Sequence, residues 1–162
     1  MIEFYLDEIK KAYKRNISVM NYLNGNHESN FKLISYIFCV EYVHRGSKMN
    51  KAMEFILAKF FNNYCVKRDF SLGPFQLKNS FCQNSNIKSV LELLDINKSS
   101  FIVDEFIERN KSQLKIEEIL KLYHSGNKND NSFSSLMYVE LFNHYCDYLI
   151  TNYPEYSSLK TE

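Results

Sequence analysis

The chain is 162 residues long, enough for one domain with a single buried core. Lys+Arg 20 against Asp+Glu 19 leave a formal net charge of +1, which excludes a nucleic-acid partner gripped mainly by electrostatics. An aromatic content of 15% excludes intrinsic disorder, and only 4 Gly and 2 Pro favour long helices over a turn-rich β-sandwich.

Residues 2–23 place Ile2, Tyr5, Leu6, Ile9, Ala12 and Tyr13 at helical spacing among charges, which predicts an amphipathic helix. NGNHESN, at 24–30, is a loop by composition. Residues 31–45, FKLISYIFCVEYVHR, are apolar on nearly every face. They predict a helix central in the core, stopped by Gly46 after a basic last turn. Residues 49–62 return to the amphipathic pattern with Met53, Ile56, Leu57, Phe60 and Phe61. Across 64–78, YCVKRDFSLGPFQLK, the 3.6 period is lost and Gly73-Pro74 intervenes, so an irregular or short hairpin-like segment is expected. Residues 87–94, 99–110 and 113–124 predict three short helices, and 124–132 a polar loop. Residues 133–152, built on Phe133, Met137, Leu141, Tyr145 and Tyr148, predict the last long helix, and the tail from Pro154 is expected to fray. The expected fold class is mostly α, about seven helices with one irregular excursion near 64–78. It is expected as a single domain over 1–153 with a C-terminal tail at 154–162.

The opening MIEFYLDEIKKAYKR has no basic stretch followed by an apolar one, so no secretory signal is expected. No run approaches the ~18 apolar residues of a membrane span. Cys39, Cys65, Cys82 and Cys146 form no CxxC pair, and His27, His44, His124 and His144 are scattered, so neither a metal site nor a cofactor is expected. The cysteines suit four reduced, mostly buried thiols in a chain made in the cytosol.

Two places break the apolar pattern. On the helix over 31–45, Ile34, Ile37, Phe38 and Glu41 share one stripe. A carboxylate there is costly unless paired. It either pairs with Arg45 four residues on, or serves as a general acid whose proton is retained by burial. In SLGPFQLK, Gly73 permits a tight backbone or the close approach of a ligand, and Gln76 offers an amide to a sugar. Taken alone, that segment reads first as an ordinary turn with one polar residue.

Together these segments resemble the lysozyme-like superfamily, in particular goose-type lysozymes and lytic transglycosylases. Glu41 at the end of a buried helix, then Ser71-Leu72-Gly73-Pro74-Phe75-Gln76, is similar to their catalytic Glu followed by a Gly-Leu-Met-Gln type loop. Tyr123-His124-Ser125-Gly126 resembles their Tyr-Asn-x-Gly element, and Tyr138 opens a helix similar to their tyrosine-bearing one. The resemblance covers about residues 31–150, with no recognised motif between Gln76 and Tyr123. His124 stands where the family usually has Asn, and the stretch from Glu41 to Ser71 is longer than in bacterial transglycosylases, which marks a divergent member.

The resemblance implies a lysozyme-like fold, mostly α with a small β element, and a peptidoglycan-cleaving activity. Glu41 would protonate the glycosidic oxygen between N-acetylmuramic acid and N-acetylglucosamine. Ser71, Gly73, Phe75 and Gln76 would line the substrate, with Gln76 donating to an acetamido group. Tyr138 would hydrogen-bond Glu41 or the sugar, and Tyr123 and His124 would belong to the same substrate-binding element. For a second carboxylate the candidates are Asp69 and Glu54, whose plainer roles are a loop-capping Asp and a solvated helix position. Hydrolysis and transglycosylation both stay open. The partners implied are peptidoglycan or a related amino-sugar glycan, a delivery system that carries the chain to the wall, and a cognate immunity protein if it is an antibacterial effector. The alternatives are a catalytically silent lysozyme-like domain that binds glycan or protein, and a helical interaction module.

Overall fold

A computed structural model describes residues 2–46, 48–82 and 87–156. The protein is mostly helical, with eight α-helices and no strand among the described residues. In chain order they are α1 (Ile2–Arg15), α2 (Ile17–Asn26), α3 (Phe31–Arg45), α4 (Lys48–Phe60), α5 (Asn62–Arg68), α6 (Ile96–Lys111), α7 (Ile116–Ser125) and α8 (Phe133–Asn152). Short 3-10 turns occupy Glu28–Asn30, Ser80–Cys82, Val90–Leu94 and Pro154–Tyr156.

The departures from expectation have local causes. The helix expected over 2–23 breaks at Asn16, whose Nδ2 donates to the Ala12 carbonyl at 2.7 Å. An Asn side chain that bonds the backbone offers the chain an alternative to continued helix. The segment over 64–78 is helical as far as Arg68, and Asp69 ends α5 in the left-handed region at φ 51. The expected helix at 87–94 is a 3-10 turn capped by Ser89, whose side chain accepts from Leu91 N. The helix expected from 99 starts at Ile96 because Asp95 Oδ1 accepts from Asn97 N at 2.8 Å and Lys98 N at 3.1 Å.

The chain forms two compact units, Met1–Tyr36 with Phe106–Glu162, and Ile37–Glu105. In the first, α8 lays Tyr138, Leu141, Phe142, Tyr145 and Leu149 into the core at spacings of three and four. Tyr13 of α1 meets Tyr145 at 6.2 Å and Tyr153 at 5.1 Å between ring centroids. Tyr36 of α3 lies 5.2 Å from Tyr138, 5.3 Å from Phe142 and 5.6 Å from Tyr145. Two of the hydroxyls are bonded inside this aromatic core. Tyr145 donates to Ser35 Oγ at 2.9 Å, and Tyr36 donates to the Tyr138 carbonyl. Where a frayed tail is expected, Tyr156 is buried with its ring 4.7 Å from Phe31. Residues 157–162 lie outside the described residues.

The second unit is built on the later part of α3, with α4, α5 and the turn at Val90–Leu94 packed together. Asn62 Oδ1 accepts from Ser89 Oγ and Val90 N, both at 3.2 Å, which pins the start of α5 to that turn. All ten residues 31–40 of α3 are buried, as an all-round apolar helix requires. α3 stops at Gly46, at φ 70, where Asn50 Nδ2 donates to the Arg45 carbonyl at 3.0 Å. All four cysteines are free thiols, and burial pushes the Cys82 and Cys146 thiols up to about 12.

Candidate functional site

Glu41 is the first residue of α3 beyond the fully buried stretch. Its side chain is 13% exposed, and no hydrogen bond reaches its carboxyl among the described residues. Desolvation pushes its pKa up to about 7. The basic side chain beside it is His44, with Nδ1 4.0 Å from Oε2.

Arg45, the expected partner of Glu41, turns instead to α4. Its Nε donates to Glu54 Oε2 at 2.8 Å, and its Nη2 lies 2.5 Å from the same oxygen. Both side chains are largely buried, so this is a charge-assisted pair shielded from water. Glu54 therefore is not a solvated helix position. Gly73 N donates to its Oε2 at 3.2 Å, and Gln76 Nε2 donates to its Oε1 at 3.0 Å. The carboxylate that touches the Gly-Pro-Phe-Gln turn is Glu54.

The turn itself is a miniature hairpin. Leu72 and Leu77 exchange two backbone hydrogen bonds of 2.9 Å, and Gln76 N donates to the Gly73 carbonyl at 3.1 Å. Gly73 and Gln76 both take positive φ, 80 and 49. A Cβ on Gly73 would sit 1.8 Å from the Leu93 carbonyl oxygen. Glycine is needed here because backbone packs on backbone, not to let a ligand approach. Phe75 is fully buried, with its ring edge-on to Phe38 at 5.8 Å, so it is core and does not line a substrate surface. Gln76 Nε2 also donates to the Gly73 carbonyl at 2.9 Å. Both partners of this nitrogen are acceptors, which fixes the amide orientation and uses both of its hydrogens. The expected donation from Gln76 to a substrate is therefore taken up inside the turn. Its Oε1 receives no hydrogen bond among the described residues, so the free valence of the amide is an acceptor.

These contacts locate Glu41. Phe38, Glu41 and Arg45 lie three and four residues apart on one face of α3. Phe38 packs on Phe75, and Arg45 reaches Glu54, which holds Gly73 and Gln76. Glu41 stands between the two side chains that tie α3 to the turn. Of the other candidates in this unit, Ser71 is half-buried. Asp69 accepts from Ser80 N at 2.7 Å and from the Ser80 hydroxyl, which caps the loop that follows.

Tyr123, His124 and Tyr138 belong to the first unit. Tyr123 meets Phe106 edge-on at 5.9 Å. His124 stacks on the Tyr138 ring at 4.7 Å, and burial lowers its pKa, with Asp130 opposing. Tyr138 is buried beside Tyr36 as part of the aromatic core. Asp130 anchors the loop before α8 by accepting from Ser135 Oγ at 2.6 Å and Ser132 N at 2.9 Å, bonds that hold it down at about 2. A groove of about 1160 Å³ also opens in this unit, lined by Lys32, Leu114, Phe142 and Cys146 among others, and contains none of the candidate residues.

Two participants went unforeseen. Phe38 is visible in the sequence on the stripe of Glu41. The Arg45–Glu54 pair spans two helices and has no local signal, since Arg45 is equally well spaced to meet Glu41. No group of three or more His, Cys, Asp or Glu side chains that could hold a metal ion occurs among the described residues. No family model, curated protein or solved structure matches the chain.

Proposed function

We propose that the protein is a glycosidase that cleaves peptidoglycan or a related amino-sugar glycan, with Glu41 as proton donor to the glycosidic oxygen. The observation that carries this reading is Glu41 itself. It is a desolvated carboxyl without a hydrogen-bond partner among the described residues, raised to about 7, on the face of α3 that meets the Gly73–Gln76 turn. A carboxylic acid that keeps its proton near neutral pH is what general acid catalysis of glycoside cleavage requires. Nothing about a core helix otherwise calls for it. In this reading Glu54, fixed by Arg45, holds the turn in place, and Gln76 Oε1 accepts the N–H of an acetamido group.

Zymography on purified cell walls tests this. The wild type clears the substrate and Glu41→Gln does not, and clearing declines as the pH rises through about 7 because the donor loses its proton. Equal inactivity of both proteins on several wall types overturns the reading. Binding to walls or chitooligosaccharides without turnover leaves the catalytically silent glycan-binding domain in its place.

A further inference from the structure

The exposed face of α4 has no role in the mechanism above. Met49, Met53, Ile56 and Phe60 recur at spacings of four, three and four, so they form one narrow stripe. They are 73%, 52%, 43% and 68% exposed. The opposite side of the helix faces inward. It carries Glu54 in its ion pair, the buried Ala58, and Lys51, whose Nζ lies 4.0 Å from the Tyr42 ring centroid. α4 is thus an amphipathic helix turned inside out. The apolar surface continues over the start of α5 with Phe61 and Tyr64, which are also exposed. Contiguous apolar surface of this kind marks an interaction site.

Charge selects the occupant. Residues 48–68 hold five Lys and Arg against one acid, in a chain that is balanced as a whole. The one acid, Glu54, is taken by Arg45. Lys59 reaches over the rings of Phe55 and Phe60 at 5.5 and 5.4 Å, and Arg68 over that of Tyr64 at 5.8 Å. These cations flank the stripe with their stems along aromatic surface, the arrangement in which Lys and Arg place their charges at headgroup level. A second copy of the chain would bring the same cationic cluster against itself. A bilayer surface accepts a convex row of Met, Ile and Phe without a shaped partner, and its anionic headgroups meet the flanking cations.

We propose that the α4 face and the start of α5 form a peripheral docking surface for an anionic lipid bilayer, with Met49, Met53, Ile56 and Phe60 entering the interface and Lys59, Lys67 and Arg68 at the headgroups. This surface lies on the bilayer, since no helix among the described residues is long and apolar enough to cross one.

Co-sedimentation of the full chain with vesicles tests the proposal, using pure phosphatidylcholine and a mixture of phosphatidylcholine with phosphatidylglycerol. The wild type partitions onto the anionic vesicles at least about tenfold more strongly than onto the neutral ones, and raising the salt reduces this. Met53→Ser with Phe60→Ser lowers the anionic partitioning by about tenfold or more. Lys59→Glu with Lys67→Glu abolishes the preference for anionic vesicles. Circular dichroism checks that each variant keeps the wild-type helix content, which solvent-exposed positions allow. Absence of partitioning overturns the proposal, as does equal partitioning on both vesicle types. Oligomerisation that the serine variants abolish, without vesicle binding, also overturns it and gives the face to a second copy.

Discussion

α8 and α4 carry similar apolar stripes and dispose of them in opposite ways. In the first unit, α8 turns Tyr138, Leu141, Phe142, Tyr145 and Leu149 inward, where tyrosines from α1 and α3 supply matching rings. In the second, α4 buries Ala58 and turns Met49, Met53, Ile56 and Phe60 outward. What decides the orientation of α4 is polar. Glu54 bonds Arg45, Gly73 and Gln76 from its inward side. Rotating the helix by half a turn would bury the stripe but break all of these at once, and leave a largely buried guanidinium without its carboxylate. A stripe goes inside only when nothing on the other face has a stronger claim.

The sharpest way to break this comparison is at the turn that Glu54 holds. Gly73→Ala places a Cβ 1.8 Å from the Leu93 carbonyl oxygen at a φ of 80. It is expected to cost at least about 4 kcal/mol, combining backbone strain with a backbone clash. Gly126→Ala, at a φ of 77 but with nothing within 4 Å, costs only about 1 kcal/mol. Urea unfolding of both variants checks the difference, and equal losses would mean that the Gly73 turn does not pack on Leu93. For α8 the matching test is Phe142→Ala, which empties a buried site beside Tyr36 and is expected to cost about 3 kcal/mol.

Glu41 should make the stability of the protein depend on pH. The folded state holds Glu41 at about 7 against an ordinary value of 4.5, so folding favours its protonated form. For this group the sign is unfavourable. The penalty is absent below about pH 4.5, grows as the pH rises, and is complete above about pH 7. Glu41→Gln removes it. The variant is expected to match the wild type at pH 4.5 and to exceed it above pH 7, with a ceiling on the order of 3 kcal/mol. Thermal unfolding across that range measures it, and a variant less stable at pH 8 would mean that Glu41 is ionised and paired in the wild type.

The helical content of the protein is legible because periodicity and the scarcity of Gly and Pro are local facts. α3 and α8 are where their apolar patterns put them. The breaks at Asn16 and Phe61 are less legible, since a residue that can leave a helix often stays in it. Asp95 was readable as a cap and would have moved the start of α6. The site was legible only in its residues. Glu41, Glu54, Gly73 and Gln76 all stand out in the sequence. Yet the partner of Arg45 lies nine positions on, across two helices, and the role of Gly73 and the free valence of Gln76 depend on contacts over nineteen or more positions, none of which a spacing rule reaches. The orientation of α4 follows from those contacts and is hidden for the same reason.

The smallest expected effect is the most informative about α4. Phe60→Ser removes a large ring from the helix, and on an ordinary amphipathic helix that ring would be core, with a loss of about 3 kcal/mol or more. At 68% exposure the ring has little buried area to lose, so the change in unfolding free energy should stay within about 0.5 kcal/mol. A slight gain in solubility should accompany it, because an exposed apolar stripe invites association. Urea unfolding at two protein concentrations separates the cases. A small, concentration-independent change keeps the stripe as free surface on the monomer. A loss near that of Phe142→Ala would mean that Phe60 is packed in solution and that α4, like α8, turns its apolar face inward.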